Sequence, residues 1–140
     1  MNSEIIPANA PTLAKYNKRI NLVEVRRHPE QYPRIFATPY EDAVEQMTRI
    51  VHAAFLYRGQ DTTIATIRFV ANAMVAEINA DTTYGLRTLS WTEIGMVIRH
   101  AVLGGAKELY GVSVASLYGA LVDYAKNEGH DAERKASQTQ

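Results

Sequence analysis

The chain has 140 residues, no cysteine, and 15 acidic against 15 basic side chains. This length predicts one domain, and the lack of cysteine excludes a disulfide framework and thiolate chemistry. No apolar run approaches the roughly 18 residues that a membrane-spanning helix needs, and no basic and apolar signal segment opens the sequence. We therefore expect a cytoplasmic protein that makes no membrane contact.

Residues 1–37 are predicted to form an irregular N-terminal arm. Four prolines interrupt any long helix there, at positions 7, 11, 29 and 33. A short helix can begin at Thr12, and an extended piece is expected at Leu22–Val25. The first 40 residues hold six basic and three acidic side chains, so the remainder holds nine basic and twelve acidic ones. Such a basic arm can contact phosphate, and a solvated leader is the alternative.

Residues 38–127 are predicted to form a helical domain with four main helices. Thr38 and Glu41 have the spacing of a capping box at the start of the first helix, and Gly59 ends that helix. The second helix begins near 61–62. Both helices repeat apolar residues every three or four positions, and their short connection predicts antiparallel packing.

The last two main helices are separated by glycine-rich breaks. Ser90 and Glu93 form a second predicted capping box, which opens the third helix. The glycines at 104–105 interrupt this helix, and 106–110 is expected to be a short helical turn. The fourth helix is predicted over 113–126, with an apolar inner face.

The turn at Gly111 has the spacing of a helix-turn-helix, with the short turn before it as the first helix. We predict a left-handed or otherwise side-chain-intolerant backbone at this glycine. Base readout requires Arg, Lys, Asn or Gln near the start of the second helix. The exposed positions there offer only Ser113 and Ser116 as phosphate donors, and Asp123 repels phosphate. Sequence-specific DNA recognition is therefore less favoured than a structural role or a protein contact.

Residues 128–140 contain almost nothing apolar and are predicted to be a solvated polar tail. The fold class that follows is all-α. It consists of four main helices in a compact bundle, a C-terminal helix-turn-helix-like pair and the irregular N-terminal arm.

The sequence contains no catalytic signature. Its four histidines are scattered, and neither Glu-x-x-His nor His-x-x-x-His occurs. The glycines before Ala106 lack the Lys-Ser/Thr of a phosphate-binding loop, and "GVSVA" lacks the second glycine of a nucleophile elbow. We expect no enzymatic activity, no metal site and no cofactor.

Basic and hydroxyl side chains are the candidate nucleic-acid contacts. They comprise five basic residues of the arm and two serines near the C-terminal turn, namely Lys15, Lys18, Arg19, Arg26, Arg27, Ser113 and Ser116. Most of the eight tyrosines flank helix ends, where a buried ring and a wet hydroxyl are the ordinary expectation. Interface contacts are the alternative, and Tyr16 beside its basic neighbours is the one candidate for base stacking.

The segment "IRHAVLGGAKELYGVSVASLYGALVDYA" resembles the C-terminal motif of a family of small proteins from Bacteroidetes genomes, their phages and mobile elements. The resemblance rests on a glycine-rich break, a Tyr-Gly turn and a following helix, with matches at Arg99, Gly105, Tyr110, Gly111, Ser116 and Tyr124. The large aromatic that the family carries near Ala120 or Leu121 is missing here. The resemblance implies a phage or mobile-element setting, and the family has no established activity to transfer.

Two classes of function follow. The first is a non-enzymatic DNA-associated accessory protein, of the replication, helicase-loading or regulatory type, with DNA as its partner. The second is a structural or assembly protein, such as a virion or oligomeric component, that contacts another protein or further copies of itself. The apolar residues of the proline-broken arm favour association, because their exposure would be unfavourable.

Overall fold

The computed structural model describes residues 11–16, 21–105 and 111–138, and within these ranges the regular structure is helical, without β-strands. The all-α class is thus confirmed. The α-helices are α1 (Leu22–Arg27), α2 (Tyr40–Arg58), α3 (Ile64–Ala80), α4 (Trp91–His100), α5 (Val114–Tyr124) and α6 (His130–Gln138). None of the helices in the described ranges has the length and apolar character required to cross a bilayer.

Helix α2 ends as predicted but begins differently. Gly59 closes it in the left-handed conformation, with φ of 63°. The N-cap is Pro39, which has no side chain that can accept a hydrogen bond, so the predicted capping box of Thr38 is wrong. The Thr38 hydroxyl instead accepts a hydrogen bond from Trp91 Nε1 and donates one to the carbonyl of Arg34, both at 3.0 Å. It therefore joins the N-terminal segment to α4.

The main core lies among α2, α3, α4 and α5. Helices α2 and α3 pack along each other, and the Tyr40–Asn72 hydrogen bond sets the start of α2 beside the middle of α3. The capping box of Ser90 and Glu93 is confirmed at the start of α4. The largest fully buried apolar side chains include Met47, Met74, Ile78, Leu86, Leu89, Ile94, Ile98, Leu117 and Leu121.

The N-terminal segment packs on this core and is less irregular than expected. Residues 22–25 belong to helix α1, not to an extended piece, because the Asn21 side chain accepts hydrogen bonds from two backbone N–H groups of the first turn. Leu13, Val25 and Ile35 are buried. The ring of Tyr16 lies so close to the backbone of α4 that a Cβ placed on Gly95 would be 2.3 Å from the Tyr16 Cζ.

The predicted polar tail differs most from the structure. Helix α5 continues without a break through a π-helical turn at Ala125–Gly129 and into α6. Gly129 and Ala132 are buried, and α6 contacts α1. The expectation of a wholly solvated tail is wrong at these points, since a small residue on each turn lets a polar helix approach the core closely.

Candidate functional site

The carboxylate of Glu93 lies at the centre of a buried polar cluster and is 0 % exposed. Its Oε1 accepts hydrogen bonds from the Ser90 N–H at 3.0 Å and from the Ser90 hydroxyl at 3.1 Å. Its Oε2 accepts from Arg26 Nε at 2.9 Å and from the Tyr124 hydroxyl, and Arg26 Nη2 lies 2.8 Å away. These donors occupy all four lone-pair positions of a carboxylate. Glu93 therefore has no acceptor left for a metal ion or a substrate.

Arg26 is a structural ion-pair partner and not a surface contact. Its side chain is 4 % exposed, so its expected position on an accessible arm is wrong. Removal of a guanidinium from water is unfavourable unless the charge is paired and hydrogen-bonded. Glu93 pairs with the Nε and Nη2 edge of the Arg26 guanidinium. Glu133 pairs with its Nη1, which lies 2.9 Å from Glu133 Oε1. The cluster thus joins α1, α4, α5 and α6.

Tyr124 completes the cluster from α5. Burial raises the pKa of its hydroxyl well above 10, and the adjacent Glu93 carboxylate raises it further by disfavouring a second negative charge. The phenol is therefore a permanent hydrogen-bond donor at neutral pH. Its neutral O–H donates to the Glu93 carboxylate, and this hydrogen bond stabilises the buried negative charge of Glu93 without a transfer of the proton.

The other basic candidates are divided by the structure. Lys15 is exposed, and its Nζ lies 5.3 Å from the centroid of the Tyr16 ring. Arg27 is partly buried and pairs with Glu24 at 3.2 Å. Lys18 and Arg19 lie outside the described residues. Lys15 is thus the one predicted basic contact that the described structure leaves exposed.

The two candidate serines cap α5. The Ser113 hydroxyl accepts from the Ser116 N–H at 3.1 Å, and the Ser116 hydroxyl accepts from the Ser113 N–H at 3.0 Å. The Ser116 hydroxyl also lies 2.7 Å from the Gly111 carbonyl, to which it donates. Both hydroxyls therefore satisfy backbone groups at the helix start, a capping role that was not predicted for them from the sequence.

Gly111 does not have the predicted left-handed backbone. Positive φ in the described residues occurs at Gly59, Gly85 and Gly104. What restricts Gly111 is contact: a Cβ there would lie 3.1 Å from the Gln60 Oε1, an atom that accepts a hydrogen bond from the next residue, Val112. The predicted first helix of the helix-turn-helix spans 104–110, and its residues 106–110 lie outside the described residues.

The exposed face of α3 is the most unusual surface of the described structure. Phe69 is 68 % exposed, the highest value among the large apolar side chains there. Ala65 and Ala76 lie one and two turns away on the same face and are also exposed. Asn72 between them accepts a hydrogen bond from Tyr40. We call these four α3 residues, Ala65, Phe69, Asn72 and Ala76, the α3 face.

Sequence periodicity already separated this face from the core. The apolar repeat of the second predicted helix places Ile64, Ile67, Ala71, Met74, Val75 and Ile78 on one face, and Phe69 does not fit this repeat. The structure buries all of these residues except Ile64, which is 58 % exposed. Two further aromatic side chains are exposed near the start of α2. Phe36, in the segment before α2, is 52 % exposed, and Tyr40, the first residue of α2, is 48 % exposed.

Two grooves cross the described surface. One, of about 870 Å³, lies between the N-terminal segment and α2 and α4, and is lined by Tyr16, Tyr32 and Trp91 among others. A second, of about 520 Å³, lies between α4 and α5 with His100 and Asp123 at its edge. No group of three or more potential metal ligands occurs within 11–16, 21–105 and 111–138.

Comparison with other proteins leaves the chain without an assigned relative. It matches no protein-family model, no curated protein and no solved structure.

Proposed function

We propose that this protein is a non-enzymatic structural or assembly protein that acts through protein–protein contacts made by the α3 face. The single observation that carries the proposal is the exposure of Phe69 at 68 %, on a helix face that it shares with Ala65, Asn72 and Ala76 and that the exposed Arg68 borders. An isolated exposed leucine is ordinary in a folded protein, but aromatic residues and arginine are enriched at protein interfaces, and here Phe69 and Arg68 are adjacent and both exposed.

A partner on the α3 face would stabilise the complex by burying Phe69. Burial of a large apolar side chain is worth roughly 1.5–3 kcal/mol, and this gain is forgone while Phe69 faces water. The alanines on either side allow another helix to approach closely. The Asn72 side chain already has a partner in Tyr40, so its carbonyl is partly satisfied if water is excluded from the face.

The remaining predictions are consistent with this proposal. The family resemblance implies a phage or mobile-element setting, in which a small oligomeric or virion component is a natural role. The compact bundle and the helix-turn-helix-like pair stay predictions. So does association with DNA, although among the described residues its support is reduced to Lys15, because Arg26 is buried and the two serines cap a helix.

Light scattering coupled to size exclusion tests the proposal as self-assembly. The full chain is measured at about 5 and 200 μM, together with Phe69→Ser and with Leu103→Ser as the matched control. Leu103 is also largely exposed, at 56 %, but does not lie on α3. We expect a mass above 15.6 kDa at the higher concentration for the unaltered protein and the control, and a smaller shift for Phe69→Ser.

A monomeric mass at both concentrations would contradict self-assembly. Equal association by the two variants would show that the α3 face is not the contact. Phe and Ser have similar helix propensities, so the Phe69→Ser protein should remain folded and its melting curve serves as the check.

A further inference from the structure

We propose that Arg26 and Arg34 form a binding site for a phosphate oxyanion and that Glu133 of α6 occupies this site as an internal carboxylate ligand. Two guanidinium groups converge on one oxygen. Arg26 Nη1 donates to Glu133 Oε1 at 2.9 Å, and Arg34 Nη2 lies 3.7 Å from the same atom. Paired guanidinium groups are a common means by which proteins bind carboxylates and phosphates.

The charges around this oxygen favour an anion from outside the chain when Glu133 leaves. Arg26 is neutralised by Glu93, to which its Nε and Nη2 are committed. Its Nη1 is not used by Glu93 and would lose its partner. Arg34 is 84 % buried at its side chain and donates its Nη2 to the Arg26 carbonyl at 2.9 Å. Without Glu133 the group therefore carries one uncompensated positive charge and two donors aimed at one point.

Helix α6 contacts α1 but buries little apolar surface. Ala132 is its one buried side chain, and most of its other side chains are exposed and polar. Little apolar surface therefore opposes its release, and segments with few buried apolar contacts open locally at low free-energy cost. Glu133 itself is 47 % exposed, so solvent ions reach its carboxylate without prior unfolding.

A recess beside Arg26, which Arg34 does not line, has room for a small phosphate group. This recess of about 150 Å³ is lined by Arg26, Tyr84, Thr88, Gly129, His130 and Glu133 among other residues. Gly129 is needed for the close approach of the chain here, since a Cβ at this position would lie 3.2 Å from Arg26 Nη2. The recess holds a terminal phosphate or free phosphate, whereas a nucleic-acid duplex would require removal of α6.

The test compares two variants with the same change in net charge. Glu133→Ala removes the carboxylate from the arginine pair, whereas Glu128→Ala removes an exposed carboxylate that does not contact Arg26 or Arg34. Melting temperatures are measured with inorganic phosphate and with sodium chloride at equal ionic strength. At a phosphate concentration about five times the dissociation constant, binding raises the melting temperature of a protein of this size by roughly 2–4 °C.

We expect this phosphate-specific increase for Glu133→Ala, and a clearly smaller one for Glu128→Ala and the unaltered chain. Addition of Arg34→Met to Glu133→Ala should abolish it, and Arg34→Gln, which removes the charge but keeps an N–H donor for the Arg26 carbonyl, serves if the methionine variant does not fold. Equal phosphate effects in Glu133→Ala and Glu128→Ala would overturn the proposal. A nucleoside monophosphate and its parent nucleoside, tested on Glu133→Ala, distinguish a nucleotide phosphate from free phosphate. The site lies apart from the α3 face, so Phe69→Ser should leave all these responses unchanged.

Discussion

Helices α1 and α4 direct charged side chains toward the protein interior, whereas helix α3 presents apolar side chains to water. Arg26 and Glu93 are 7 % and 0 % exposed, and Phe69 is 68 % exposed. Both arrangements reverse the usual distribution of residue types between surface and core. The two regions differ in one respect, which is whether other residues of the same chain contact the unusually placed side chains.

The buried charges are compensated by specific partners. The Glu93 carboxylate receives hydrogen bonds from Ser90, Arg26 and Tyr124, and Glu133 takes the remaining side of Arg26. The α3 face has no such compensation within the described residues. A polar cluster that is complete needs no ligand at its centre, whereas no described segment covers the α3 face, which is why we propose it as a contact surface.

The largest expected effect tests whether the buried pair is needed for stability. Glu93→Ala leaves the Arg26 guanidinium without its main partner, and loss of one member of a buried pair costs about 3–5 kcal/mol. The control is Glu45→Ala, which breaks the exposed pair with Arg49 and should cost less than about 0.5 kcal/mol. Urea unfolding measures both. Similar losses in the two variants would contradict the assigned role of the cluster.

A smaller effect tests the docking of the N-terminal segment. Gly95→Ala would place a Cβ 2.3 Å from the Tyr16 Cζ, so the ring must move away from α4. We expect a destabilisation of about 1–3 kcal/mol and faster proteolysis before residue 21. Gly119→Ala is the matched control, because its Cβ would meet nothing within 4 Å and alanine favours the helix by up to about 1 kcal/mol. If Gly95→Ala stabilises the protein equally, Tyr16 does not hold the segment in place.

The third prediction concerns Tyr124 and alkaline pH. Tyr124→Phe removes one donor from the buried carboxylate and should cost about 1.5–3 kcal/mol at pH 8. Burial and Glu93 raise the pKa of the native phenol above its unfolded value of about 10. The contribution to stability is therefore fully present below pH 10 and is lost as pH rises through the native pKa. The difference between the two proteins in urea unfolding should shrink from pH 8 to pH 11, and a constant difference would refute this linkage.

The smallest effect on stability is expected at the basic candidate contacts of the N-terminal segment other than Arg26. Replacement of Lys15, Lys18, Arg19 and Arg27 by alanine, with buried Arg26 retained, should leave the melting temperature nearly unchanged. If the segment contacts DNA, gel-shift affinity should fall and its salt dependence should flatten, by about 0.9 in log–log slope for each lost phosphate contact. Full retention of binding by the variant would exclude the segment as the contact. No binding by the unaltered chain at low salt would remove DNA association altogether.

Local features of the structure were predictable from the sequence. The 3–4 apolar repeats predict the α-helices, Gly59 ends α2, and Ser90 with Glu93 caps α4. Each depends on interactions between residues within a turn or two of each other. The apolar repeat of α3 also places Phe69 away from the inner face of the helix. Its 68 % exposure follows only from the tertiary structure, in which no described segment covers it.

Long-range partners were decided only by the tertiary structure. Arg26 and Glu93 are separated by 67 positions, and Arg26 and Glu133 by 107, so no local pattern joins them. The same arginine was a plausible phosphate contact in the sequence and became a buried structural group when α1 packed against α4 and α6. Charge alone could not distinguish these outcomes, because a guanidinium can lie in the interior only where the folded chain brings enough carboxylates to it.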